Sequence, residues 1–282
     1  MTHEDSTVRV VRTYRVCEVA PYINWIYFYH AWQVKQGKES ESLRADADRM
    51  LQALDTKYCT HAVVVLTEAC SEHDDIVVAD GTHIPCLRQQ VPGADGACLS
   101  MADFLAPAGI PSGDAADLAH RMGLFATTVD AAMETDLRAD AYERMLSQTL
   151  ADRLAEATAE VLHMEVRRSL WGYAPQEQSD IRQLLEGRYQ GIRPAVGYPS
   201  LPDTSVNFIL ERLLRMSDIG IRLTESGAMR PHASVSGLML AHPVARYFNL
   251  GRIDETQLAD YARRRGLPVQ LVRRFLAASL VD

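Results

Sequence analysis

Between residues 135 and 170 there is neither Gly nor Pro, and Leu, Ala, Met and Val recur three and four positions apart. That spacing gathers the apolar side chains on one stripe of a 3.6-residue helix, which must be buried against something. Pro175 closes the region, because its ring cannot continue the helical ladder. Around this helix the periodicity changes type. Residues 8–16 alternate β-branched and basic side chains, as a half-buried strand does, and 61–66, 75–79 and 124–129 are short β-rich runs; the 75–79 run ends in the turn dipeptide Asp80-Gly81. Helix is expected over the aromatic-rich 21–35, over 40–58 with Leu43, Ala47, Met50, Leu51 and Leu54 at helical spacing, and over 180–186 and 206–216. Strands are expected over 221–225, 233–241 and 245–253, and loop over the Gly-, Pro- and Ala-rich 91–122, with room for one short helix. Asp254 can cap a helix with Gln257 at its third position, Gly266 can close that helix, and Pro268 can open the last one. Strands scattered among helices without regular alternation predict an α+β fold.

A chain of 282 residues with 47% hydrophobic composition can bury a sizeable core. A net charge of −8 and a pI near 5.6 argue against a nucleic-acid or anionic-membrane partner. No apolar run approaches the roughly 18 residues of a membrane span, and the first residues lack a basic flank, so a cytoplasmic protein is expected. Five cysteines at irregular spacing point to reduced thiols rather than a disulfide framework.

The loop from Gly191 to Pro199 places a guanidinium, a rigid Pro, a Gly and a Tyr within a few residues. Arg193 offers a fork of donors for a carboxylate, and a glycine lets backbone groups approach a ligand. Other stretches accompany it: Tyr22 to Trp25, Leu87 to Gln90, Ala102 to Pro107, Leu150 to Glu156, Trp171 to Pro175, Leu223 to Ser226, Pro231 to Gly237, His242 to Phe248 and Asp260 to Arg264. In this order they resemble the activation domain of cobalamin-dependent methionine synthase, which binds S-adenosylmethionine (SAM). The resemblance implies one C-shaped domain over 1–282, a twisted antiparallel sheet with flanking helices. It implies that Arg193 takes the SAM carboxylate, while the Ala195–Gly197–Tyr198 backbone and the Tyr247-Phe248 pair hold the amino acid end and the adenosine. Asn24 stands where the family has an aspartate facing the SAM ammonium.

The chain departs from the family in other places. Pro202 to Asn207 replaces a Pro-Asp-His-Thr-Glu-Lys run, Gly187 replaces a glutamate, and Arg230-Pro231-His232 replaces a Trp-Pro-Gly/Ala loop. These losses suggest a surface that no longer meets a corrin. They lead to the expectation of an enzyme that consumes SAM itself, closing it to 1-aminocyclopropane-1-carboxylate with release of methylthioadenosine. Nothing reads as a pyridoxal phosphate site, so the electron sink would be a metal such as zinc. His232, Glu225 and Asp203 are its candidate ligands, and Tyr198, Glu156 and His232 the candidate catalytic groups. An alternative stays open: a reactivation subunit that offers the SAM methyl to a cobalamin-binding protein. So does a third reading, a SAM sensor. Cys59 with His61 and Cys70 with His73 lack the partner pair of a zinc site, and Cys86 reads as a small buried hydrophobe.

Overall fold

The β-rich run 61–66 is the middle of a 14-residue strand that organises the molecule. The computed structural model describes residues 7–35, 37–93, 95–110, 118–135 and 140–281. Strands β1 (Val8–Arg15), β2 (Cys59–Glu72), β3 (Asp75–Val78), β4 (His83–Pro85), β5 (Arg121–Val129) and β8 (Ser234–Met239) form one antiparallel sheet. The order runs β4-β3-β2-β5-β8, with β1 pairing the first part of β2 and β3 the last. A two-stranded ribbon, β6 (Arg222–Leu223) with β7 (Met229–Arg230), lies apart from it.

β2 reads as a continuous apolar run because both of its faces are covered. Ala62, Val64 and Leu66 face one core with Phe125 and Met239; Val63 and Val65 face a second with Met122, Leu124 and Leu238. The first core is roofed by α1 (Val16–Val19), α2 (Trp25–Ala31), α3 (Lys38–Asp55) and α5 (Ala141–Glu165), with the short α4 (Ala131–Thr135) leading into α5. The long stretch read as helix over 135–170 is thus α5, capped by the Asp140 carboxylate on the Tyr142 and Glu143 amides, followed by a wider π turn over Val166–Leu170. Residues 136–139 of that expectation lie outside the described residues. The second core is covered by α7 (Asn207–Leu214) and its flanking 3-10 turns. α6 (Ile181–Leu185) lies against the 3-10 turn at Ala20–Tyr22, and α8 (Glu255–Arg265) and α9 (Val269–Phe275) build a third cluster with Leu87, Leu250 and Ile253. No helix among the described residues is long and apolar enough to cross a membrane.

Asp254 caps α8 through the Gln257 amide and Gly266 ends it in the left-handed region, as expected. The 21–35 helix is confined to α2, after a 3-10 turn at Ala20–Tyr22. The strand expected over 245–253 does not form: that segment is irregular. The outer edge of β8 is taken by residues 192–195, which bridge Ile192 to Leu240 and Ala195 to Gly237.

Candidate functional site

The polar positions of α5 follow the same period as its apolar ones. Arg153, Glu156, Glu160, His163 and Arg167 recur three and four residues apart through the helix and its π turn, so they form one stripe. Reading the apolar spacing alone missed this stripe. At its buried end, the fully buried Arg167 guanidinium donates to the Glu177 carboxylate at 2.5 and 2.8 Å and lies 4.0 Å from the centre of the Tyr189 ring. The His163 imidazole meets Tyr189 edge-on with ring centres 5.1 Å apart, and the Tyr173 hydroxyl lies 3.4 Å from its Nε2. Burial, then the Arg167 and Arg193 charges, hold His163 well below the usual histidine pKa. Burial, then the Glu160 carboxylate, push the Tyr189 phenol up to about 12.

Above this layer runs the Arg193 loop, pressed against β8. A Cβ at Gly237 would sit 2.1 Å from the Pro194 carbonyl, and one at Gly191 would sit 2.6 Å from the Leu240 carbonyl. Only glycine admits this approach at 237, and at 191 the positive φ of 85° demands it as well. The approach lets Val196 and Leu238 donate backbone hydrogen bonds to Ser236 and Pro194. Arg193, pinned in this way, turns its guanidinium onto the Glu160 carboxylate. Burial works against that charge, and Glu160, with the Tyr189 and Tyr247 hydroxyls, more than offsets it. The Arg193 amide donates to the Tyr247 hydroxyl at 2.9 Å, and the Tyr198 hydroxyl donates to Glu156 at 3.1 Å.

The result is a cleft of about 1010 Å³ between α5, the Arg193 loop and the segment carrying Tyr247 and Phe248. Of the residues expected to hold SAM, Asn24, Arg193, Ala195, Tyr198, Tyr247 and Phe248 all line it. Gly197 is exposed and does not line it; a Cβ there would sit 3.7 Å from Thr204 Cγ2. Asn24 is also structural, because its side-chain oxygen accepts from the Ile26 amide at 3.2 Å and caps α2. Aspartate and asparagine cap a helix equally well, so the neutral side chain keeps the local fold.

The candidate metal ligands are not assembled. Asp203 is buried and fully committed, accepting from the Tyr261 hydroxyl, Arg265 and the Ser205 amide, each at 2.8 Å. Glu225 is exposed in the β6–β7 turn. His232 is exposed beside a smaller pocket of about 190 Å³, with Asp152 Oδ1 3.7 Å away. Among the described residues no group of three or more His, Cys, Asp or Glu side chains is placed to hold a metal ion. Tyr198 is also a poor base: burial and then Glu156 raise its pKa, away from neutrality. Cys86 is buried in the second core, its thiol pushed up to about 12 by burial.

Comparison with known proteins identifies relatives of this fold. Residues 15–266 match the family model described as the vitamin B12 dependent methionine synthase, activation domain. A crystal structure of the MetH reactivation domain bound to AdoHcy is similar at 35% identity over 99% of this chain and 92% of that one, with a TM-score of 0.86. This overturns the expectation of a lyase that cyclises SAM. Of the departures that suggested it, the 202–207 run is partly a packing change, whereas Gly187, Arg230 and His232 are exposed. Ser205, Val206 and Asn207 are buried, and Asn207 donates to the Gly227 carbonyl at 2.8 Å while accepting from the Ser236 hydroxyl at 2.5 Å.

Proposed function

The chain belongs to the activation-domain family of vitamin B12-dependent methionine synthase, and we propose that it binds SAM in this cleft and donates the methyl group to reduced cobalamin on a partner unit. The observation that carries the reading is the Arg193 guanidinium, partly buried and oriented by Glu160 at the cleft floor, facing a wall that presents Tyr247 and Phe248. The donors of Arg193 that Glu160 leaves unused suit the SAM carboxylate. The aromatic pair offers flat surface to adenine, and the Ala195 backbone offers edge contacts. The carboxylates of Glu156 and Glu160 complement the ammonium and the sulfonium. In the transfer, the carbon–sulfur bond breaks with its electron pair going to sulfur. The methyl passes to the reduced cobalt, and AdoHcy leaves as a neutral thioether. A one-electron donor must keep the cobalt reduced.

Titration calorimetry with SAM and AdoHcy tests the site. Wild-type protein is expected to bind both, and Arg193→Met to weaken both by about ten- to a hundredfold, the cost of losing a charge-assisted pair. Supplying a reduced cobalamin protein should then yield methylcobalamin and AdoHcy in equal amounts. A wild-type chain that binds neither ligand sinks the reading.

A further inference from the structure

The stretch Leu87 to Gln90 lies outside the cleft lining, yet its side chains reach the segment that carries the aromatic pair. The Arg88 guanidinium holds Asp74, Asp103 and the Cys98 carbonyl, which makes the stretch a rigid base. From this base three successive residues grip the chain that follows Phe248. The Arg88 amide donates to Gln257 and its carbonyl accepts from Gln257; Gln90 accepts from the Asp254 amide; Gln89 Nε2 donates to the Asn249 carbonyl at 2.8 Å. Leu87 and Leu250 share the third apolar cluster beneath them.

The Asn249 carbonyl and the Leu250 amide belong to one peptide unit, and that unit is held from both sides. Its carbonyl accepts from Gln89, and its N–H donates to the Pro199 carbonyl at 3.0 Å. Pro199 ends the Arg193 loop. The other Gln89 atom, Oε1, accepts from the Leu99 amide at 2.9 Å, which fixes the orientation of the side-chain amide. The segment 242–252 forms no β-bridge, so isolated bonds of this kind help decide where it sits.

We infer that Gln89 is a positioning residue for the cleft: by fixing the Asn249–Leu250 peptide, its amide holds the Tyr247-Phe248 arm and the end of the Arg193 loop in the arrangement that takes the ligand. The inference rests on the SAM-binding reading for its ligand, and on the hydrogen-bond geometry for the coupling. Two variants separate the two contacts of Gln89. Gln89→Glu keeps the acceptor for Leu99 but places a carboxylate oxygen against the Asn249 carbonyl; Gln89→Met removes both contacts.

The test measures AdoHcy affinity by calorimetry and, in ligand-free protein, the amide hydrogen exchange of residues 247–250. Both variants are expected to lose about tenfold in affinity and to exchange about tenfold faster in that segment, with exchange in β2 and α5 unchanged. Affinity lost in Gln89→Met but retained in Gln89→Glu would assign the residue to Leu99 alone and overturn the inference. Unchanged exchange at 247–250 also overturns it, whether or not ligand binds. A wild-type chain that fails to bind AdoHcy removes the SAM reading, and the exchange result still decides the coupling.

Discussion

The two walls of the cleft are built on opposite principles. On one side α5 delivers Arg153, Glu156 and Glu160 at helical spacing, and the helix backbone fixes their separations before any side chain finds a partner. On the other, Tyr247, Phe248 and Asn249 sit in an irregular segment, held by a phenol on the Arg193 amide, a glutamine on a carbonyl and a proline carbonyl on an amide. The first wall is rigid because it is a helix packed on a sheet. The second is positioned contact by contact, so it is the wall a single substitution can move.

The largest effect is expected beneath the helical wall. Arg167→Met leaves the Glu177 carboxylate buried without its partner, since the two side chains are 0% and 8% exposed. Breaking such a pair costs about 3–5 kcal/mol, whereas replacing both partners is far milder. Urea denaturation should therefore show a severe loss in Arg167→Met and substantial recovery in Arg167→Met with Glu177→Gln. If the single variant is no worse than the double, the stripe is not held by this ion pair.

A smaller effect is expected where the Arg193 loop meets the sheet. Gly237→Ala sets a methyl against Pro194, Ala195 and the Phe125 ring, all closer than 3.0 Å. Overpacking of this kind costs about 1–3 kcal/mol, and here the loop is the part free to yield. Thermal melting should record the loss. Calorimetry should record weaker AdoHcy binding, because moving Pro194 and Ala195 moves Arg193 with them. A melt lowered with affinity intact would mean that β8, not the loop, had shifted.

The same contrast explains what could be read from the sequence. The strands at 8–16, 61–66, 75–79 and 124–129 and the helices over 40–58 and 254–266 were legible, because apolar period and caps act locally. The antiparallel α+β architecture and six residues of the cleft followed from the family motifs. β4 was not legible, being three residues long and ending in Pro85. Nor was the fate of 245–253: its β-like composition says nothing about whether a sheet edge is vacant, and Ile192 and Ala195 take the outer edge of β8. The buried role of Asp203 was hidden too, since Tyr261 and Arg265 come from about sixty residues further along. A carboxylate near a loop motif looks like a ligand until its partners are known.

The smallest expected effect concerns His163, and it tests whether the layer under the helical wall is as dry as its packing indicates. In the folded chain the imidazole resists protonation, so its pKa lies well below the ordinary 6.5 that it regains on unfolding. Between those two values the unfolded state binds more protons than the folded one. The stability tied to the neutral ring is therefore fully present above about 6.5 and is lost as pH falls below it. From pH 7 to 5.5 this one group should remove about 1 kcal/mol. The same range should leave the His163 ring resonances untitrated in the NMR spectrum of the folded protein. His163→Asn, compared with wild type by urea denaturation at both pH values, isolates the contribution, because carboxylates such as Asp152 titrate alike in both proteins. A His163 that titrates in the folded state near 6.5 would mean that water reaches the Tyr173–Tyr189 layer, and the helical wall would then be as adjustable as the stitched one.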